Sequence, residues 1–142
     1  LYSKSKMQKY IATGKVTTFS NTKTQAAWRK YTKLYLRFKI KSITVSGRKA
    51  TVKLYCQYPD ATVPYSRALT QANNYYYYHP DTSSEKMDSI FNAYIRKYLS
   101  KREIKTSTIS LSLVKNGTTW KISRYTSALD NIIHGNYSKV IN

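Results

Sequence analysis

Between residues 34 and 56 the chain alternates apolar and polar side chains with a period of two, and the alternation breaks phase once. Leu34, Leu36, Phe38 and Ile40 are interleaved with Tyr35, Arg37, Lys39 and Lys41, whereas the next apolar pair, Ile43 and Val45, falls on odd numbers. A period of two belongs to a strand that buries one face. One extra residue near Lys41-Ser42 returns both sets to the same face, so a β-bulge is expected there. Ser46-Gly47 supplies a turn. On the return strand Ala50, Val52, Leu54 and Cys56 alternate with Thr51, Lys53, Tyr55 and Gln57. Cys56 then reads as a small buried hydrophobe rather than a reactive thiol.

A second hairpin is expected downstream. Ile109, Leu111 and Leu113 alternate with Thr108, Ser110 and Ser112, Asn116-Gly117 offers a primed turn, and Trp120 and Ile122 point inward on the return. Residues 59–83 read as an irregular connection, because they hold Pro59, Pro64 and Pro80 together with a run of four Tyr and His79. Thr82 with Glu85 is a capping-box pattern. It opens a helix in which Met87, Ile90, Phe91, Tyr94, Ile95 and Tyr98 fall at steps of three and four. Ser127 and Asp130 resemble another helix start, with Gly135 as the residue that ends it. Residues 1–25 are poorly patterned; they suggest a short N-terminal helix and a polar loop, and Ala26, Ala27, Trp28 and Tyr31 suggest a helical turn. Strands and helices are partly segregated, which predicts an α+β fold with an antiparallel sheet, in one domain spanning 1–142.

Charge limits the partners. The first 59 residues contain fourteen Lys or Arg and no Asp or Glu, and the whole chain is formally +19. Self-repulsion of that size opposes compaction and fits a polyanionic working environment. Fifteen Tyr against three Phe and two Trp add rings that pack while keeping a hydroxyl wet. One Cys excludes an intrachain disulfide and a multi-Cys zinc site. No apolar run is long enough to span a membrane. The chain opens Leu1-Tyr2-Ser3-Lys4 rather than at Met, so a signal or anchor segment is expected upstream.

The segments KIKSITVSGRKATVK (residues 39–53) and LSLVKNGTTWKISRYTSALDNIIHGN (residues 111–136) resemble parts of small Gram-positive lipoprotein and cell-surface domains of uncharacterised function. That resemblance implies the cone of the nuclear transport factor 2-like (cystatin-like) fold, a curved antiparallel sheet wrapped on helices. It also implies a location outside the membrane. It implies no activity, since the fold hosts isomerases, dehydratases, transport adaptors and binding modules. The base excess is a departure from it.

An enzyme of that fold needs an ionisable group on the concave face, and the expected inward set contains no acid or base. Asp60 reads as a loop residue, Asp130 as a helix-start acid, and His134 as a last-turn cation. Neither His79 nor His134 makes a metal pair or a triad. No cofactor and no catalytic residue is therefore expected. The candidate site is an anion-binding surface: Arg37, Lys39, Lys41, Lys53 and Lys121 on the outward strand faces, continued by Arg29, Lys30 and Lys33. Its plainer reading is a solvated face, although mixed signs would serve solubility as well. Tyr75, Tyr76, Tyr77, Tyr78 and His79 offer a second candidate, a pocket or stacking surface; their plainer use is packing on the core. The expected function is a non-enzymatic, basic, extracellular or surface-anchored domain binding an anionic envelope polymer or an acidic protein. A nucleic-acid-associated module and a small-ligand pocket binder are the alternatives, and a dimer is compatible with all three. Asn116-Gly117-Thr118 and Asn136-Tyr137-Ser138 match glycosylation acceptors by chance.

Overall fold

The computed structural model describes residues 17–124 and 126–141; the suggested N-terminal helix lies outside them. Four antiparallel strands, β1 (Arg37–Ser46), β2 (Lys49–Pro59), β3 (Ile104–Asn116) and β4 (Thr119–Ile122), form one curved sheet in the order β1-β2-β3-β4. The bulge is where the phase slip puts it. Ile40 lies opposite Leu54 and Ser42 opposite Lys53, which leaves Lys41 without a partner on β2. Phe38, Ile40, Ile43 and Val45 therefore share a face with Cys56, Leu54, Val52 and Ala50. The second hairpin turns one residue later than expected. Asn116 pairs with Thr119, so Gly117 and Thr118 are the central residues, and Gly117 carries the positive φ of +64°.

Strand β1 starts later than the alternation suggests, because helix α1 (Thr22–Tyr35) runs through Leu34. Leu34 is 47% exposed, whereas Leu36, at the helix-to-strand junction, is fully buried. The Asn21 side chain caps α1 by accepting the Thr24 N–H at 3.0 Å. The buried stripe of α1 is Thr24, Gln25, Trp28 and Thr32, mostly polar. Thr24 donates its hydroxyl to Asn92 Oδ1 at 2.9 Å and Thr32 to the Trp28 carbonyl at 2.9 Å. Gln25 Oε1 accepts the N–H groups of Thr18 and Phe19. Search for apolar residues at helical spacing passes over such a stripe.

The expected irregular connection at 59–83 is instead a helical hairpin, α2 (Thr62–Tyr78) and α3 (Ser84–Leu99). Two local features make α2 possible. Buried Asp60 accepts the N–H groups of Thr62 (3.2 Å) and Val63 (3.1 Å), plus the Thr62 hydroxyl at 2.8 Å. Pro64 falls in the first turn, where no intrahelical N–H is required. Pro64, Ala68 and Ala72 then form the buried side, small enough for close packing on α3. The cap of α3 is Ser83, whose side chain accepts the Lys86 N–H at 3.2 Å. Thr82 donates its hydroxyl to the His79 carbonyl instead.

Two cores result. Inward residues of β2 and β3, with Leu36, meet Leu129, Ile132 and Ile133 of α4 (Ser127–Ile133). The cap of α4 is Thr126 rather than Ser127, accepting the Leu129 N–H at 3.3 Å. The second core gathers Phe19, Trp28, Ala61, Ala68, Ile95 and Leu99. Rings dominate its rim: Tyr65 meets Phe91 at 5.2 Å and Tyr137, ahead of α5 (Ser138–Ile141), at 5.7 Å.

Cys56 sits in the first core with no exposed surface, and burial pushes its thiol up to about 11. The neutral thiol is the form the fold favours. Its contribution is present below the unfolded value of about 9 and is lost as pH rises toward about 11, a change of about 2–3 kcal/mol. Urea unfolding across that range should show the wild-type chain losing about that much more stability than Cys56→Ala. Equal losses in both would refute the shift. Burial and the nearby Tyr65 also raise the Tyr137 hydroxyl, with the same alkaline sign.

Candidate functional site

The outer face of the sheet is built by the half of each alternation that the core does not use. Register fixes its rows. Ser46, Lys49, Val114 and Lys121 lie side by side across all four strands. Below them Thr44, Thr51 and Ser112 align, then Ser42, Lys53 and Ser110, then Lys39, Tyr55 and Thr108. The unpaired Lys41 swings to this face and places its Nζ 5.5 Å from the Tyr55 ring centre. Neighbouring residues in a row are about 5 Å apart across the strands. Arg37, Gln57 and Thr106 form the last row, and the result is a surface of ammonium groups, one guanidinium and hydroxyls, with Val114 and the Tyr55 ring among them, exposed throughout apart from half-buried Gln57.

Five of the expected cations, Arg37, Lys39, Lys41, Lys53 and Lys121, thus share one face. Lys49 joins them; sequence reasoning missed it, although its place one residue before inward Ala50 was the signal. No strand contains Asp or Glu. Three acids are paired elsewhere: Asp60 with Lys105 (3.5 Å), Glu103 with Arg67 (3.1 Å) and Asp130 with His134 (3.4 Å). Asp81, Glu85 and Asp88 sit between α2 and α3 or in the first turns of α3.

Arg29, Lys30 and Lys33 belong to the helical layer rather than to the strand rows. Lys30 and Lys33 lie on the exposed side of α1, and Arg29 is half-buried with an Nε that makes no hydrogen bond among the described residues. The tyrosine run ends α2 instead of crossing a loop. Tyr75 and His79, one turn apart, stack with centroids 4.2 Å apart, and His79 Nδ1 lies 3.0 Å from the Tyr75 carbonyl oxygen. Tyr76, Tyr77 and Tyr78 are 49%, 76% and 71% exposed, so the expected packing on the core is corrected. Helical geometry fans successive rings about 100° apart, which spreads these three around the helix.

Two settings of acidic or basic groups differ from the sequence reading. Asp60 is no idle loop residue but the buried anchor of α2. His134 bridges a hydroxyl and a carboxylate, with Nδ1 2.7 Å from Thr18 Oγ1 and Nε2 3.4 Å from Asp130 Oδ1. That line of groups ties the segment before α1 to α4. Among the described residues, no three His, Cys, Asp or Glu side chains gather as a metal site requires, and no helix is long and apolar enough to cross a membrane.

No family model matches the sequence, and neither does any curated protein. The fold has a solved counterpart. The chain is similar to the crystal structure of a candidate lipoprotein, YcdA, from Bacillus subtilis subsp. subtilis str. 168, with a TM-score of 0.61 and 15% sequence identity. The likeness covers 89% of this chain and 42% of that one, so the chain spans less than half the length of its counterpart. At this identity what is shared is the fold.

Proposed function

We propose that the chain is a non-catalytic domain working at the cell surface, where the outer face of its sheet holds an anionic envelope polymer or an acidic protein. The observation that carries this reading is the acid-free outer face, on which Arg37, Lys39, Lys41, Lys49, Lys53 and Lys121 stand among Ser and Thr hydroxyls. Such a face grips phosphates or carboxylates by charge, and hydroxyls satisfy the remaining acceptor oxygens. The surface location is supported by the likeness to a candidate lipoprotein and by the resemblance of residues 39–53 and 111–136 to surface domains. A curved sheet with a bulged edge strand is also compatible with the cone fold that this resemblance implies.

Retention on phosphocellulose as salt is raised tests the face. The variant Arg37→Glu/Lys39→Glu/Lys41→Glu/Lys53→Glu is expected to elute at clearly lower salt, and the slope of log affinity against log salt should fall by about three to four. Lys30→Glu/Lys33→Glu, altered on α1, should shift elution less. Unchanged elution of the strand variant would remove the sheet as the binding surface.

A further inference from the structure

We infer that β1 is a docking edge for an extended acidic segment of a partner protein, added to the sheet as a fifth strand with its side chains alternating between acidic and apolar. This rests on the proposed basic face and names one of its partners. Strand β1 is an outer strand of the sheet, ten residues long, so one side of its backbone has no strand neighbour among the described residues. Edges of this kind recruit a strand through main-chain hydrogen bonds and select it through alternating side-chain contacts.

Both faces of the edge carry information. On the inner side Ile40, Ile43 and Val45 point the same way as the buried Leu54, Val52 and Ala50, yet they are 46%, 47% and 58% exposed. Their β2 partners are buried, whereas about half of each of these three side chains is left uncovered by the described residues. On the outer side of the same strand stand Arg37, Lys39 and Lys41, with no acid on any strand. A strand laid along the whole of β1 would place every second side chain beside Phe38, Ile40, Ile43 and Val45, and the others beside Arg37, Lys39 and Lys41 before the bulge and beside Ser42, Thr44 and Ser46 after it. The occupant that fits is therefore apolar on one face and carboxylate-bearing on the other.

A second copy of the chain does not fit. Pairing β1 with itself would put two sets of Arg37, Lys39 and Lys41 on one face that has no acid to offset them, and cations with a bulge are the usual means by which an edge resists self-pairing. The same charges attract an acidic strand. Beyond the bulge, Ser42, Ile43, Thr44, Val45 and Ser46 pair regularly with β2, so this half of β1 presents the straighter edge.

The probe is a capped peptide of alternating Glu and Val, long enough to span residues 37–46, titrated against the full chain by fluorescence anisotropy and backbone amide shifts. Expected are binding about tenfold tighter than that of a peptide with the same residues in two blocks, and amide shifts concentrated in β1. N-methylation at alternate peptide residues should remove this advantage. Ile43→Lys/Val45→Lys changes only half-exposed side chains; it should weaken the alternating peptide about tenfold while phosphocellulose retention stays equal or rises. That opposition separates this inference from the polyanion reading, whose failure appears in retention alone. Equal affinity for both peptides would overturn the inference. So would contacts from residues 1–16 along β1 in the free chain, or a dimer abolished by Ile43→Lys/Val45→Lys.

Discussion

Gly135→Ala is expected to cost about 3 kcal/mol of stability, roughly twice the cost of Ala at another positive-φ glycine. Two effects combine. Gly135 has φ +56°, where a Cβ is penalised by about 1–2 kcal/mol. A Cβ there would also overlap the Trp28 ring and fall 2.6 Å from the Pro59 carbonyl oxygen and 2.8 Å from the Ala61 nitrogen. Two of these three neighbours are backbone, and Ala61 N–H donates to the Gly135 carbonyl at 2.8 Å, so the chain cannot simply retreat. Gly117→Ala is the control. Its φ is +64° and nothing lies within 4 Å, so only the conformational penalty of about 1–2 kcal/mol applies. Urea midpoints of the two variants decide the matter; equal losses would show that close packing at Gly135 contributes nothing.

The strands were legible because alternation encodes them twice, in the residues that face the core and in those that do not. The phase slip even located the bulge, since no unbulged strand could point Phe38 and Ile43 to one side. The same logic gathered Arg37, Lys39, Lys41, Lys53 and Lys121 onto the outer face. Two kinds of information were absent from the pattern. Alternation reports which way Ile40, Ile43 and Val45 point, not whether anything covers them, so their exposure emerged only with the fold. Apolar periodicity also cannot see helices whose buried sides are Thr24, Gln25 and Thr32, or Pro64, Ala68 and Ala72. The pattern therefore shortens helix α1 and hides α2. In α2 the Pro and Tyr resemble interruptions, but Pro64 occupies a first turn and the Tyr run continues the helix to its end. The Asp60 carboxylate decides that outcome by accepting from Thr62 and Val63, a local helix start that the prolines on either side of it obscure.

Trp28→Ala is expected to be the most damaging single truncation, at about 3–5 kcal/mol. The ring is 1% exposed, meets Phe19 edge-on at 5.7 Å, and fills the space that Gly135 leaves open. Because the two positions touch, their effects should not add. With the indole gone, Gly135→Ala loses one of its three clashes, and its cost should drop by about 1 kcal/mol or more without vanishing. The Pro59 and Ala61 backbone and the positive φ remain. Full additivity in chemical denaturation would mean that the joint yields independently at each position. The same variants separate stability from function. Trp28 and Gly135 belong to the helical side, whereas the outer rows are set by strand register. Any folded fraction of Trp28→Ala should therefore leave phosphocellulose at the wild-type salt concentration. A lowered elution point for the folded protein would mean that the helical layer, and not register alone, holds the cations in place.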